Sequence, residues 1–213
     1  MPTLHRATAI AAALALTTSL AVAASHTTGQ DGEPASDSTM KTDEGVTFTG
    51  FRDLSYGERT GGAQLTANLI NLDGEEIGRA TFSITPSGIV VIRAEASGLD
   101  DGEHGFHIHE TGKCEPETEF KSAGGHYVGE DDPEHGLVEG GPHAGDLPNV
   151  VATNGSFAVE HFNPRITLDG DKNPLMDDDG SAIMVHSEPD DYESQPSGDA
   201  GGRVACGVIV AGE

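Results

Sequence analysis

Histidines account for most of the residues in this chain that could do chemistry. His107 and His109 are separated by one residue in the short stretch GFHIH, which has the composition of a strand. Because side chains two residues apart in a strand point to the same side, both imidazoles can reach one metal ion. Alone, such a pair is more often a surface or core feature, so it predicts a metal site only together with further ligands.

Further ligands follow in a glycine-rich segment that spans 21 residues: His126, His135, His143 and Asp146. No apolar pattern would order this segment by itself, and a bound metal would supply the missing order. Three imidazoles and one carboxylate form a closed tetrahedral set that suits zinc. Four nitrogens with an open axial position suit Cu(II) instead.

The chain also offers the second kind of set. His107, His109 and His126 need a fourth nitrogen, and His186, at the end of a predicted strand over 182–186, is the candidate. His126 would then belong to both sets. The histidine spacing therefore predicts neighbouring copper and zinc sites that share one imidazole.

The elements that must position these side chains are predicted to be strands. Apolar and polar residues alternate over 63–69, and turn residues separate this stretch from apolar stretches at 77–84 and 89–96. Further short strands are predicted at 105–109, 149–152, 156–162, 182–186 and 204–210. About eight strands indicate an all-β sandwich or barrel.

Two long segments, 110–148 and 187–203, have almost no apolar periodicity. Loops of this length in a compact domain are usually functional, and the candidate ligands lie in them or beside them. The glycines of 198–202 precede a predicted strand rather than a helix, so the pattern does not indicate a phosphate-binding loop. Nucleotide binding is therefore not predicted.

The composition excludes several kinds of partner. The chain has 213 residues with 36 acidic and 11 basic side chains, a formal net charge of -25. So acidic a surface repels phosphates and anionic lipid headgroups, which argues against nucleic acids and membrane surfaces as partners. The length predicts one folded domain, and the high charge predicts a well-solvated surface.

The N-terminus has the pattern of an export signal. A short basic segment, an uncharged Ala/Leu-rich stretch and the sequence Ala21-Val22-Ala23 predict a signal peptide over 1–23 rather than a retained transmembrane helix. Residues 25–45 contain no Val, Ile, Leu or Phe, which predicts a disordered acidic linker over 24–45. The domain then spans 46–213, and the protein is predicted to be exported to a periplasmic or extracellular location.

Five segments together resemble the copper/zinc superoxide dismutases, and within that family the bacterial exported branch. They are GFHIHETGKC, SAGGHY, GPHAGDLPNV, MVHSEPDD and GGRVACGVIV, and the resemblance covers roughly residues 63–210. It implies an eight-stranded Greek-key β-sandwich or flattened barrel, immunoglobulin-like in architecture, with two long functional loops. It also implies the conversion of two superoxide anions and two protons to dioxygen and hydrogen peroxide, with copper alternating between Cu(II) and Cu(I).

The resemblance assigns roles residue by residue. It implies copper ligation by His107, His109, His126 and His186, and zinc ligation by His126, His135, His143 and Asp146. His126 would be the bridge between the metals and the carrier of a proton. Asp190 would accept hydrogen bonds from His107 and His135, and Arg203 would dock the superoxide anion beside copper.

The resemblance further implies a disulfide between Cys114 and Cys206, the only cysteines. An exported chain permits this bond, and two free thiols are the alternative. The resemblance allows a homodimer, but it leaves the oligomeric state and the dimer face open, because different branches of the family use different faces.

One feature departs from the family pattern. Members commonly steer superoxide with lysines near the channel, yet residues 187–202 contain five acids and no base. We hypothesise that Lys113 and Lys121, the only bases between Arg93 and Arg165, supply the positive potential. A non-catalytic exported copper/zinc-binding protein is the alternative function, although it would not need Arg203. A purely structural β-sandwich would not need the copper set.

Overall fold

The computed structural model describes residues 40–41, 47–48, 64–131 and 133–212. The predicted signal peptide at 1–23 and most of the predicted linker at 24–45 lie outside the described residues. Strand β1 (Met40–Lys41) lies in the predicted linker range and pairs antiparallel with β2 (Thr47–Phe48), which lies just beyond that range. Among the described residues, no helix is both long enough and apolar enough to cross a bilayer.

The regular secondary structure in the rest of the described chain is almost entirely β. The only helices in 64–131 and 133–212 are two short 3₁₀ helices, Pro116–Thr118 and Lys121–Ala123. The strands are β3 (Gln64–Asn71), β4 (Glu76–Ile84), β5 (Val90–Ser97), β6 (Gly102–His104), β7 (Phe106–His109), β8 (Val150–Ala152), β9 (Ser156–Asn163), β10 (Ala182–His186), β11 (Arg203–Val208) and β12 (Val210–Ala211). The predicted all-β class is confirmed.

Eight of these strands form one curled antiparallel sheet in the order β7-β10-β11-β3-β4-β5-β9, with β12 also paired to β3. The chain leaves β9 at one edge and returns as β10 beside β7 at the other, which is the long connection of a Greek key. Strands β6 and β8 pair separately. The structure adds β6, which the pattern did not predict, and divides the last predicted strand into β11 and β12.

The core lies on one face of this sheet, as the alternation along the strands predicts. Leu65 and Leu69 of β3, Phe82 of β4 and Ile92 of β5 belong to a single buried apolar cluster. Their neighbours along each strand face away from it. The alternating pattern over 63–69 therefore marks the side of β3 that is buried.

Strand β7 is buried on both faces. Phe106 and Ile108 lie in the apolar core, whereas His107 and His109 point to the opposite side and are equally inaccessible to solvent. The segment 110–148 covers this second side: Ile108 donates its backbone N–H to Gly145 and accepts one from Tyr127, at 2.9 and 2.8 Å. The loop thus continues the hydrogen bonding of the sheet along the free edge of β7.

A disulfide bond joins Cys114, in the loop that follows β7, to Cys206 of β11, across 92 residues of sequence. Its buried end packs with Phe120 and Met184 in a small cluster separate from the main core. The pairing implied by the resemblance is confirmed, and neither cysteine is free. The bond holds the start of the long loop against the sheet.

Candidate metal centre

Seven candidate residues form two groups of four buried side chains that share His126. Within each group, one potential ligand atom per residue lies within 4.8 Å of every other. The first group is His107, His109, His126 and His186, and the second is His126, His135, His143 and Asp146. The structure therefore brings together each set of residues that the sequence predicted.

The first group is placed by two neighbouring strands and the loop that covers them. His107 and His109 belong to β7, and His186 ends β10, the strand paired with β7. His126 lies opposite His109 in an isolated bridge between the loop and β7. Four imidazoles thus come from three segments that are distant in sequence.

Several imidazole nitrogens of the first group lack the hydrogen-bond partner that a buried polar atom needs. His109 has Nδ1 3.1 Å from the carbonyl of Gly124, which is satisfied when Nδ1 carries the proton and leaves Nε2 as a bare lone pair. That Nε2 lies 3.3 Å from Nε2 of His186. Burial lowers the pKa of His186 to about 2 and that of His109 well below 6.5, and nearby imidazoles add to both effects. Two neutral rings that face each other in this way fit a cation between them.

His107 and His126 give the same indication. His107 donates from Nε2 to a carboxylate oxygen of Asp190 at 2.8 Å, so its Nδ1 is an acceptor. Nδ1 of His107 and Nε2 of His126 are both buried and have no hydrogen-bond partner among the described residues. A buried acceptor without a partner costs free energy that a bound metal recovers. The donor set therefore fits copper.

The second group is built around Asp146. Its carboxylate oxygens lie 3.0, 3.1 and 3.2 Å from the Nδ1 atoms of His126, His135 and His143. Burial alone would raise the pKa of Asp146, but its contacts with the three imidazoles and a hydrogen bond from the backbone of Gly136 lower it far below its usual range. A permanently ionised carboxylate with three imidazoles is the closed set that fits zinc.

His126 faces both groups at once. Its Nδ1 is directed at Asp146 and its Nε2 at the first group, and its ring centre lies 4.0 Å from that of His107. Burial lowers the pKa of His126 to about 4, although the hydrogen bond to Asp146 opposes this effect. The imidazole is therefore neutral at pH 7 and can offer one nitrogen to each group.

Asp190 contacts one histidine of each group. Its two carboxylate oxygens lie 2.8 Å from Nε2 of His107 and 3.1 Å from Nε2 of His135. Asn149 fixes the backbone of Asp190 through two hydrogen bonds, at 2.9 and 3.0 Å, and the backbone N–H of Tyr192 donates to Oδ1. Burial opposes ionisation of Asp190, but bonds from the two histidines lower its pKa. Asp190 thus orients one imidazole of each group.

Arg203 lies at the edge of the first group. The register between β10 and β11 shifts by one residue after Val185, and this bulge places Arg203 opposite His186. The guanidinium donates to the carbonyls of Phe120 and Gly124, each at 2.6 Å. It lines a cleft of about 590 Å³ together with His109, His126, His186, Glu110 and Glu134.

The lysines proposed to steer an anion differ in their surroundings. Lys121 pairs with Glu119 on the exposed surface, which compensates its charge. Lys113 is also exposed and makes no ion pair with any described residue. The charge of Lys113 is therefore the less compensated of the two, and neither lysine lines the cleft that contains Arg203.

Several residues beside the ligands were not predicted. Asn149 orders Asp190, as described above, and Arg165 donates to backbone carbonyls of the second group. A lone Asn or Arg carries no spacing that would mark it, although a base is uncommon in so acidic a chain. His104 is buried, and its ring nitrogens contact the carbonyls of His186 and Asp100 at 2.7 and 2.9 Å.

Comparison with known proteins gives one consistent result. Residues 76–209 match the family model described as copper/zinc superoxide dismutase. The chain is 50% identical to superoxide dismutase (Cu-Zn) 2 of Aquifex aeolicus over 149 residues, which cover 67% of this chain and 84% of that protein. It is 35% identical to the superoxide dismutase (Cu-Zn) of Escherichia coli K12 over 168 residues, covering 73% of this chain and 92% of the relative.

A solved structure is similar as well. The crystal structure of a SOD-like protein from Bacillus subtilis superposes with a TM-score of 0.64 at 36% identity. The match covers 68% of this chain and 97% of that one. The sequence identity and the superposed fold therefore both relate the chain to the same group of proteins.

Proposed function

Because the chain belongs to the copper/zinc superoxide dismutase family, we propose that its two buried groups are the copper site and the zinc site of the enzyme. The protein is an oxidoreductase that acts on superoxide, with copper and zinc as its cofactors. In the proposed assignment, copper is held by His107, His109, His126 and His186. Zinc is held by His126, His135, His143 and Asp146.

One observation carries the assignment. The imidazole of His126 presents Nδ1 to the Asp146 group, 3.0 Å from its carboxylate, and presents a buried Nε2 without a hydrogen-bond partner to the four-histidine group. A histidine with only a structural role would have a conventional hydrogen-bond partner for each of its two buried ring nitrogens. This orientation supports a bridging imidazole.

When bound, copper supplies one-electron redox chemistry and zinc supplies a second positive charge beside the bridge. In our proposal the guanidinium of Arg203 docks the superoxide anion in the cleft. The carbonyls of Phe120 and Gly124 accept hydrogen bonds from this guanidinium and hold it in place. Nε2 of His126 holds a proton when it is not ligating and passes that proton to the reduced product. Asp190 keeps the rings of His107 and His135 oriented throughout.

The decisive experiment measures superoxide dismutation by the purified protein after loading with copper and zinc, beside the Arg203→Ala variant. We expect rapid turnover that falls in the variant while both metals stay bound. Bound metals without turnover in the unchanged protein would support a non-catalytic copper/zinc-binding protein instead. That alternative is not favoured, because the chain matches the copper/zinc superoxide dismutase family and is 50% identical to a superoxide dismutase of that family.

We also propose the organisation implied by the N-terminal sequence: a signal peptide at 1–23, a linker at 24–45 and a domain at 46–213. The mature protein is then exported, periplasmic or extracellular, with no stable membrane insertion and no nucleic-acid partner. N-terminal sequencing of the exported protein tests the cleavage site. Sedimentation of the metal-loaded protein tests whether it forms a homodimer.

A further inference from the structure

We propose that Arg165 is a positioning residue for zinc, because it holds the backbone between two of the proposed zinc ligands. Its Nη2 donates to the carbonyl of Asp146 at 2.9 Å, and its Nε donates to the carbonyl of His143 at 3.2 Å. This inference rests on the assignment of zinc to the group that contains Asp146.

Arg165 is itself held in place by two buried asparagines. Asn163, the last residue of β9, accepts the backbone N–H of Arg165 at 2.8 Å and donates to the carbonyl of Ala144 at 2.8 Å. Asn173 donates to the carbonyl of Arg165 at 2.8 Å. The backbone of Arg165 is therefore held in place next to the end of a core strand.

Together these side chains donate to three of the four backbone carbonyls in the segment 143–146, which begins and ends with a proposed zinc ligand. Arg165 contacts those of His143 and Asp146, and Asn163 contacts that of Ala144. The segment 143–146 contains no helix or strand that would fix these groups by itself. Backbone hydrogen bonds to Ile108, Tyr127 and Val128 fix Gly145 and the N–H of Ala144. The donors from Arg165 add to this by holding the carbonyls of the two ligand residues themselves.

An arginine suits this position better than other donors. Its planar guanidinium can donate in two directions at once and is always charged, so it can satisfy two carbonyls that face inward. Each of its two hydrogen bonds goes to the backbone carbonyl of a proposed zinc ligand, His143 or Asp146.

The copper group has separate supports. His107, His109 and His186 are placed by β7 and β10, and Arg165 contacts none of them. Loss of Arg165 should therefore weaken zinc binding selectively. A purely structural role in the fold would affect both metals, or neither.

The test compares Arg165→Gln with the unchanged full chain by zinc and copper competition against chromophoric chelators. We expect zinc affinity to fall about 10- to 100-fold, and copper affinity to change no more than about twofold. Arg93→Gln is the matched control, because it removes the same charge from an arginine that pairs with Glu160 between β5 and β9. It should leave zinc affinity unchanged.

Two further measurements separate the possible outcomes. Arg165→Lys keeps the charge but not the fork of donors, so its zinc affinity should be intermediate, and it serves where Arg165→Gln does not fold. The visible spectrum of cobalt bound in place of zinc should change in the Arg165 variants and not in Arg93→Gln. Zinc affinity within twofold of the unchanged protein in both Arg165 variants would overturn the inference. An unchanged protein that binds no zinc would overturn the metal assignment itself.

Discussion

Nε2 of His107 donates a 2.8 Å hydrogen bond to Oδ2 of Asp190, and both side chains are completely buried. The other oxygen of Asp190 contacts His135 at 3.1 Å. A single carboxylate thus fixes the ring orientation of one proposed copper ligand and one proposed zinc ligand. Removal of this carboxylate should affect both metals.

Asp190→Ala is expected to lower both copper and zinc affinity by about 10- to 100-fold, because the two imidazoles lose the acceptor that sets their tautomer and direction. Chelator competition measures both constants. Asp191→Ala is the control, since the Asp191 carboxylate is exposed and accepts hydrogen bonds only from its own turn. Loss of affinity for one metal alone would contradict the bridging role.

Arg203→Ala should lower the second-order rate constant for superoxide about tenfold or more, because the cleft loses the cation that attracts and docks the anion. Pulse radiolysis measures this rate, and metal analysis of the same samples shows whether both metals are retained. Arg79→Ala, which removes an exposed arginine paired with Glu95, should change the rate little. Equal losses in the two variants would mean that only net charge matters.

Salt should reduce activity little, or even raise it. The net charge of -25 repels superoxide, and screening shortens the reach of this repulsion from about 10 Å at 0.1 M to about 3 Å at 1 M. The rate constant measured over this range tests the expectation. A steep fall with salt would mean that local positive charge dominates, and Lys113→Glu would then identify its source.

The same charge argument gives an outcome for Lys121→Glu. Because Lys121 is paired with Glu119, we expect its replacement to lower the low-salt rate less than replacement of Lys113 does. A larger effect of Lys121→Glu would show that the ion pair leaves a net attraction at the cleft.

Without metals, stability should be greatest near pH 6.5. Between pH 6.5 and about 4 the unfolded chain binds protons at His126, His109 and His186 that the folded chain does not, so stability falls as the solution is acidified. His126 alone contributes about 1.4 kcal/mol per pH unit to this fall. His135 has the opposite shift. Burial lowers its pKa, but hydrogen bonds to Asp146 and Asp190 outweigh this and raise it to about 9, so its contribution is lost as the pH rises from 6.5 through 9. Urea unfolding of the metal-free protein from pH 4.5 to 9 measures this profile, and a steady rise across the range would contradict it.

Reduction of the disulfide should destabilise the fold. Closing 92 residues contributes roughly 4 to 5 kcal/mol in the chain-entropy model, which often overestimates the effect. Denaturant unfolding of the metal-free protein with and without a reductant gives the difference. The Cys114→Ser and Cys206→Ser double variant, unfolded in the same way, is the control for effects of the reductant itself.

The sequence predicted the parts of the site that depend on local periodicity. The one-residue separation of His107 and His109 was enough to place both on one side of a strand, because the strand period is two. The apolar alternation of β3 likewise identified its buried side. The strands near 77–84, 89–96 and 182–186 were predicted within about a residue or two of their observed ends.

Contacts across the long loop could not be predicted in this way. Whether Arg165 reaches Asp146 depends on where the segment 110–148 returns to the sheet, and no periodicity encodes that path. The three-residue strand β6 is too short to show an alternating pattern at all. Nor does a residue pattern reveal the bulge that places Arg203 opposite His186.

Strand β7 presents Phe106 and Ile108 to the core and His107 and His109 to the proposed metal sites. The register of this one strand therefore determines both the packing of the core and the position of two ligands. A slip of the strand by one residue would place imidazoles among the aliphatic side chains and phenyl and sec-butyl groups among the ligands. Misfolded or mispaired chains would therefore be unable to retain copper. The colour of the copper-loaded protein would serve as a visible record of whether its hydrophobic interior has been assembled correctly.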